Sequence, residues 1–498
     1  MLEILQLTLQ GFTALLNPTS LLLIFIGVCV GIIGGAIPGI SPSMAVALLL
    51  PMTYSMTPVQ GIVMLMGIYI GANYGGSITA VALNTPGTPS AAVTSFDGYP
   101  MAQSGRGGEA MGISLWASTF GGLISTFILM FFSVPLAKVA LKFWPSEYFA
   151  LCVMGLTTVA TLGGKAWQKA LIAVLFGLLL NMIGIDPVLG VKRFTFGINS
   201  LYDGVAMVPV LIGLFALGEV FANLETYSKD QVKKETPVYE FPKPSYYWKL
   251  KTSIIRSSIV GCLIGIFPGA GGTIASFLCY DIEKRSSKHP EMFGKGAPEG
   301  VVAAEASNSA SVGGAMVPLL ALGIPGSSTA AVLIGALMIH NLTPGPSLFT
   351  DEPDLVYALF ASMFVANAFM LAIGTVGSKL WVRVGDIPQV ILYPLIFAFS
   401  ILGSYSTKKS FTDVVICLVF GVIGWLMKKY KYPASPVVLG LVLGRLMELN
   451  YSQALMVGGV ASFYTRPLTL ILFAISLVAI AYPIISDRRA AKKAQENK

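Results

Sequence analysis

Charge is what this sequence has least of. Of 498 residues only 11% are Asp, Glu, Lys or Arg, against 55% hydrophobic, and the mean hydropathy is +0.75. A soluble chain of this length is about 25% charged, so an assembly of water-exposed domains is excluded. The first 105 residues contain no Lys or Arg at all, Arg106 being the first. Histidine is nearly missing, with only His289 and His340, which argues against a zinc site. The five cysteines, Cys29, Cys152, Cys262, Cys279 and Cys417, form no CxxC pair, lie in or beside apolar segments, and read as small buried hydrophobes. There is no GxxxxGK[ST], so the chain carries no ATP-hydrolysing phosphate loop, and no HExxH or GxSxG to support an intramembrane hydrolase. A basic n-region before the first apolar run is also missing, which argues against a cleavable signal peptide.

What is present is a series of apolar runs near the ~20 residues a spanning helix needs, without the strict alternation of a membrane barrel. They fall at roughly 20–37, 42–50, 59–74, 78–93, 110–135, 149–162, 167–185 and 205–222, then 253–267, 273–280, 301–322, 329–342, 355–377, 388–402, 411–427, 434–447, 453–464 and 467–485. Several are too short to cross alone and fit half-helices or re-entrant hairpins. The predicted fold is an all-α polytopic membrane protein with 10–12 transmembrane helices, some broken. Leu2, Leu5, Leu9, Phe12 and Leu16 recur at helical spacing and predict a short interfacial helix.

A polar linker at 223–252, with six lysines against four acids and three prolines, separates two halves, 1–222 and 253–485, and a basic tail follows at 486–498. The halves repeat each other. Gly31, Gly35, Pro38 and Gly39 form GxxxGxxPG, and so do Gly261, Gly265, Pro268 and Gly269, 230 residues on. Residues 82–93 and 321–332 both read ALxxPGxxxAAV, 239 residues apart with seven identities. The basic linker and tail place both on the cytoplasmic side by the positive-inside rule, and the start, which has no Lys or Arg, outside. The first half then enters the membrane from outside and the second from inside, which makes the repeats inverted in topology. Broken inverted repeats are a recurring secondary-transporter plan, with the site at the repeat interface near the midplane. The basic residues are accordingly orientation signals rather than a nucleic-acid surface.

Each Pro-Gly pair stops a helix and frees backbone groups that hydrocarbon does not satisfy. The breaks at Pro38-Gly39, Pro86-Gly87, Pro268-Gly269 and Pro325-Gly326 are thus candidate ligand-facing turns. Neutral donors cluster beside them: Asn73, Tyr74, Gly75, Gly76, Ser77 and Thr79, then Asn84, Thr85, Thr88 and Ser90 in the first half; Ser307, Asn308, Ser309 and Ser311, then Ser327, Ser328 and Thr329 in the second. Helix N-termini with such donors suit a carboxylate, and freed carbonyls with hydroxyl oxygens suit Na⁺. The substrate set is Asn73, Tyr74, Gly75, Gly76, Ser77, Asn84, Thr85, Pro86, Gly87, Thr88, Asn308, Ser309, Pro325, Gly326, Ser327 and Ser328. Na⁺ is placed near Pro38, Gly39, Pro268, Gly269, Ser311 and Thr329. The competing reading is that these small residues only permit close helix packing. Glu305 is placed at the mouth of the Asn308 cluster, Asp97 in a turn as a cap, and Arg445 with Glu448 as a pair on one helix face. Lys165 and Lys409, before similar Phe-Gly helices, read as loop anchors, and His340 as a helix-end residue.

The stretch Tyr74-Gly75-Gly76-Ser77-Ile78-Thr79 through Leu83-Asn84-Thr85-Pro86-Gly87-Thr88-Pro89, with Asp97-Gly98-Tyr99-Pro100-Met101-Ala102, resembles the large membrane subunit of bacterial tripartite tricarboxylate transporters. Glu305-Ala306-Ser307-Asn308-Ser309-Ala310 through Gly313-Gly314, with Leu322-Gly323-Ile324-Pro325-Gly326-Ser327, is similar to that family's second signature, although Ser307 and Ser309 flank Asn308 where a more amide-rich run is the pattern. The resemblance covers nearly the whole chain. It implies a secondary transporter of the bacterial inner membrane, not an enzyme. Such a protein imports citrate-like tricarboxylates or related carboxylates by symport. It has no cofactor beyond Na⁺ as coupling ion, protons being the alternative. It implies two partners, a small four-helix membrane subunit and a periplasmic solute-binding protein. Movement of the paired hairpins against a scaffold, as an elevator, is the expected transport step. A passive channel and an intramembrane enzyme acting on lipid-linked substrates are the competing classes.

Overall fold

The computed structural model describes residues 2–37, 39–162, 167–187, 189–225, 241–269, 271–377 and 389–496. It is helical almost throughout; the β structure among the described residues is one short ribbon, Gly184–Ile185 paired antiparallel with Lys192–Arg193. In the first half the main helices are α1 (Leu2–Leu15), α2 (Pro18–Ala36), α3 (Pro42–Leu49), α4 (Pro58–Leu83), α5 (Ala91–Met101), α6 (Gly107–Ala140), α7 (Pro145–Leu162), α8 (Trp167–Asn181) and α9 (Met207–Glu225). In the second they are α10 (Lys251–Ile266), α11 (Gly271–Ser286), α12 (Pro298–Leu322), α13 (Ser328–Ile339), α14 (Pro353–Val376), α15 (Gln389–Lys408), α16 (Phe411–Lys429), α17 (Ser435–Gly458) and α18 (Pro467–Glu496).

Helix starts follow a simple local rule. Asn17-Pro18, Ser41-Pro42 and Thr57-Pro58 each put a side-chain acceptor at the cap and proline in the first turn, where its missing N–H costs nothing. Thr57 and Gln60 complete a reciprocal capping box. Helices stop at all four expected Pro-Gly positions: α2 ends at Ala36, α4 at Leu83, α10 at Ile266 and α12 at Leu322.

Among the described residues, six helices are long and apolar enough to cross a membrane, namely α2, α4, the continuous Ala91–Ala140 stretch, α9, α14 and α16. That is fewer than the predicted 10–12, for identifiable reasons. Helix α12 is long enough but rich in Ser, Asn and Glu; it is enclosed by other helices instead of facing lipid. Others, α8 and α13 among them, are apolar but short. Segments 59–74 and 78–93 also merge in part, because α4 runs through Gly75-Gly76 unbroken to Leu83. The predicted N-terminal helix is present as α1 and packs along α14, with Gly11 against the Tyr357 backbone. The central stretch 226–240 and Lys165 lie outside the described residues; Lys409 sits in the loop between α15 and α16.

The two halves interlock. Helix α6 of the first half packs along α12 of the second, and α14 of the second packs along α4 of the first. The same exchange recurs outside them: α8 lies on α17, and α16 on α9. Within each half, glycines let two backbones touch. Gly31 and Gly35 of α2 meet Ile68 and Ala72 of α4; Gly261 and Gly265 of α10 meet Ser307 and Ser311 of α12. The partners are offset by 230 and 239 residues, the offsets of the sequence motifs. Any side chain at Gly265 would place its Cβ 2.6 Å from the Ser311 carbonyl oxygen.

Candidate functional site

The site is built from two hairpins, α4–α5 and α12–α13, whose long helices are buried in the middle of the bundle. Each long helix ends on a left-handed residue, Asn84 (φ 53°) and Gly323 (φ 75°). The chain then folds back identically. Thr85 N–H donates to Thr79 O (3.2 Å) and Gly87 N–H to Gly76 O (3.2 Å). Ile324 N–H donates to Pro318 O (3.1 Å) and Gly326 N–H to Ala315 O (3.3 Å). Every one of these residues is 239 positions from its counterpart. Gly269 N–H donates in turn to Gly326 O (3.1 Å), tying the two breaks of the second half together. The amides of Gly87, Gly269 and Gly326 are therefore occupied, and what these regions leave free for a ligand is side-chain chemistry. Gly39 lies against the Asn223 carboxamide, and Pro38 lies outside the described residues.

The hairpins meet at a polar crossing. The hydroxyl oxygens of Tyr69 on α4 and Ser327 at the start of α13 are 2.9 Å apart, and Ser327 also caps α13 by accepting from Ala330 N–H. Asn308 Nδ2 donates to Asn73 O (3.4 Å), while Asn73 Nδ2 donates to Tyr69 O (2.9 Å). Asn308 Oδ1 has no protein partner, although the residue is almost fully buried, and it faces Gly272 in the first turn of α11 with Ser311 alongside. Ser309 Oγ and Asn367 Oδ1 are likewise buried without partners and line one crevice with Ile70, Gly122, Val312 and Met363. That crevice is too tight for a water molecule. A buried acceptor left unpaired costs about 1–3 kcal/mol; three stand on or beside α12, Asn308 facing α11 and Ser309 with Asn367 in the closed crevice.

The other expected site residues divide. Ser77 bonds Ser114 of α6 (2.6 Å), Thr88 bonds Ser90 (3.2 Å) beneath Gly76, and Thr329 is buried in the first turn of α13. Gly75, Gly87 and Gly326 serve close packing, against α2 and α10 and their own hairpins, as Ser307 does against Gly261. Tyr74 is fully buried with its hydroxyl unpartnered. Pro325 is buried; Pro86, Pro268 and Ser328 are half-buried. Asn84 and Thr85 are exposed at the far end of α4, about 16 Å along the helix from Asn73, so they do not join the Asn308 crossing.

Three acids occupy places different from those predicted. Asp97 is not in a turn: α5 runs from Ala91 to Met101 through Pro100. Its buried carboxylate caps the opposite half, Oδ1 accepting from the N–H groups of Gly294, Gly296 and Ala297 (2.8–2.9 Å) and Oδ2 from Tyr280 (2.7 Å). Glu305 is not at a mouth. It is wholly buried on α12 and accepts from Thr94 of α5 and from Ser118 of α6 (2.8 Å). Its only sequence signal is an acid in the interior of a helix whose other charge, Glu299, lies in the first turn. Glu448 also differs: it pairs with Arg193 of the ribbon (2.6 Å), while Arg445 points outward. His340 caps the end of α13, as expected.

A family model described as "Tripartite tricarboxylate transporter TctA family" matches residues 21–439. The chain belongs to this family. Two relatives are from Agrobacterium vitis. An "Uncharacterized 52.8 kDa protein in TAR-I ttuC' 3'region" is 37% identical over 494 residues, 99% of this chain and 98% of the relative. An "Uncharacterized protein in TAR-II ttuC' 3'region" is 34% identical over 234 residues, 47% of this chain and 97% of the relative. No solved structure matches. The TctA-family chain is thus a multi-pass membrane protein of a tricarboxylate transporter family.

Proposed function

We infer that this chain is the translocating subunit of a bacterial inner-membrane importer of tricarboxylates or related carboxylates. It works with a small four-helix membrane subunit and receives substrate from a periplasmic binding protein, with the sodium gradient as driving force. The observation that carries this reading is that three buried oxygens beside the hairpin crossing have no protein partner, Asn308 Oδ1 facing α11 and Ser309 Oγ with Asn367 Oδ1 lining the closed crevice. Neutral oxygens of this kind suit Na⁺, and the first turn of α11 beside Asn308 suits a carboxylate. The constant offsets of the hairpin contacts support a duplication, and the charge distribution supports its inversion. Such a pair of hairpins serves as the moving part, with α7 in the scaffold: Gly155 and Val159 of α7 lie against Ile324 and Gly269, at the two breaks of the second half.

The test is citrate uptake by proteoliposomes holding the chain and both partners. A sodium gradient is expected to drive accumulation, which neither a channel nor an enzyme does. Asn308→Ala is expected to weaken apparent affinity for citrate or Na⁺ at least about tenfold, equivalent to ~1.4 kcal/mol. Unchanged affinity for both removes the site assignment.

A further inference from the structure

Glu305 has no part in the reading above, yet its surroundings are specific. It is the acid at the centre of the interlock: α12 of the second half carries it, and helices of the first half enclose it. Thr94 of α5 and Ser118 of α6 donate to its two oxygens, and Ser77 of α4 with Ser114 of α6 stand at the edge of the same cluster. All four hydroxyl residues are fully buried.

No cation is paired with Glu305 among the described residues. On the helices packed against α12, Arg256 of α10 is bound to Glu283 of α11 (2.6 Å), and Arg106 to Glu109 at the start of α6 (2.6 Å). Helix α13 carries no acid or base. Helix α4 presents Tyr74, whose hydroxyl is unpartnered. Helix α5 presents Asp97, lying against Gly300, about 7 Å along α12 from Glu305.

The contrast between the two acids decides their roles. Asp97 is surrounded by three backbone N–H donors and a tyrosine hydroxyl, a cage built for the anion. Glu305 is surrounded by serine and threonine hydroxyls, each able to donate to a carboxylate or accept from a carboxylic acid. Its cage therefore serves both protonation states by hydroxyl rotation alone. An unpaired charge in such an interior is strongly disfavoured, and an ionisable group inside a membrane bundle marks a functional site.

We propose that Glu305 is a proton-exchange site at the interface of the two halves. A proton from water binds one carboxylate oxygen when the α12–α5–α6 contact closes, and returns to water when that contact opens. The O–H bond formed at the carboxylate replaces one broken in hydronium, which leaves as water, and release reverses the exchange. The inference rests on the transporter reading only for the motion that opens the contact.

Infrared difference spectroscopy on the purified full-length protein between high and low pH tests it. The expected result is a protonated-carboxyl band that titrates in the wild type and is lost in Glu305→Gln. Identical bands in the two proteins overturn the proposal. Ser118→Ala retains the carboxyl but removes one of its hydroxyl partners, so it is expected to keep the band and shift its midpoint; an unmoved midpoint also overturns the proposal. The measurement needs no substrate, so its failure is distinct from a failure of sodium-driven citrate uptake, which strikes the transport reading alone.

Discussion

The phenol of Tyr69 and the hydroxyl of Ser327 lie 2.9 Å apart across 258 residues of sequence, joining the first long hairpin helix to the start of the short helix in the second hairpin. The contact fixes where the hairpins cross, because Ser327 is also the cap of α13. Tyr69→Phe leaves packing unchanged and removes one buried hydroxyl contact. The expected loss is about 1 kcal/mol of stability, with weaker citrate affinity in reconstituted uptake. A variant of wild-type affinity would separate this contact from the binding site.

Asp97 holds the loop before α12 through three hydrogen bonds and Tyr280 of α11 through a fourth. Asp97→Ala strands three backbone N–H groups, two of them in buried residues. It is expected to cost about 3 kcal/mol or more, seen as a large drop in the thermal unfolding midpoint in detergent. Asp97→Asn, which keeps one acceptor oxygen, is expected to lose less.

The glycine rows give a paired prediction. Gly35→Leu would drive a side chain into the Ala72 backbone, and Gly265→Leu into that of Ser311. Both are expected to abolish folded, monodisperse protein on size-exclusion chromatography, because backbone cannot yield as a flexible side chain does. A well-folded Gly265→Leu protein would show that the α10–α12 contact is loose.

Arg193 and Glu448 pair between the ribbon and α17, both about a quarter exposed. Arg193→Ala is expected to cost about 1 kcal/mol or less. The exchange Arg193→Glu with Glu448→Arg is expected to restore part of that loss, measured by thermal unfolding against each single variant.

A Cβ at Gly155 of α7 would stand 3.3 Å from Ile324 Cγ2. In a background lacking the five free cysteines, Gly155→Cys with Ile324→Cys is expected to form a crosslink that stops citrate uptake reversibly on reduction. Full transport in the crosslinked protein would count against movement of the hairpin over α7.

Much of the fold was legible in the sequence because its signals are local. Low charge and long apolar runs require spanning helices, and Pro-Gly pairs require helix ends wherever they fall. Asn84 and Gly323 end their helices at the same place in both motifs because a left-handed residue is needed there. The misplacements share one cause. Asp97 resembles a turn residue locally, but partners 200 residues away hold its carboxylate on a helix. Glu305 reads as a rim acid, but α5 and α6 of the other half close over it.

The sequence by itself determined the membrane class, the helix breaks and the pairing of the two motifs, since hydropathy, proline and glycine act on their own segments. Tertiary structure alone decided which half covers which, and so which polar groups meet. Asn73 and Asn308 come together, and Asn84 is left about 16 Å from Asn73, because the packing of the two halves sets where α4 meets α12, and the end of α4 lies beyond that contact.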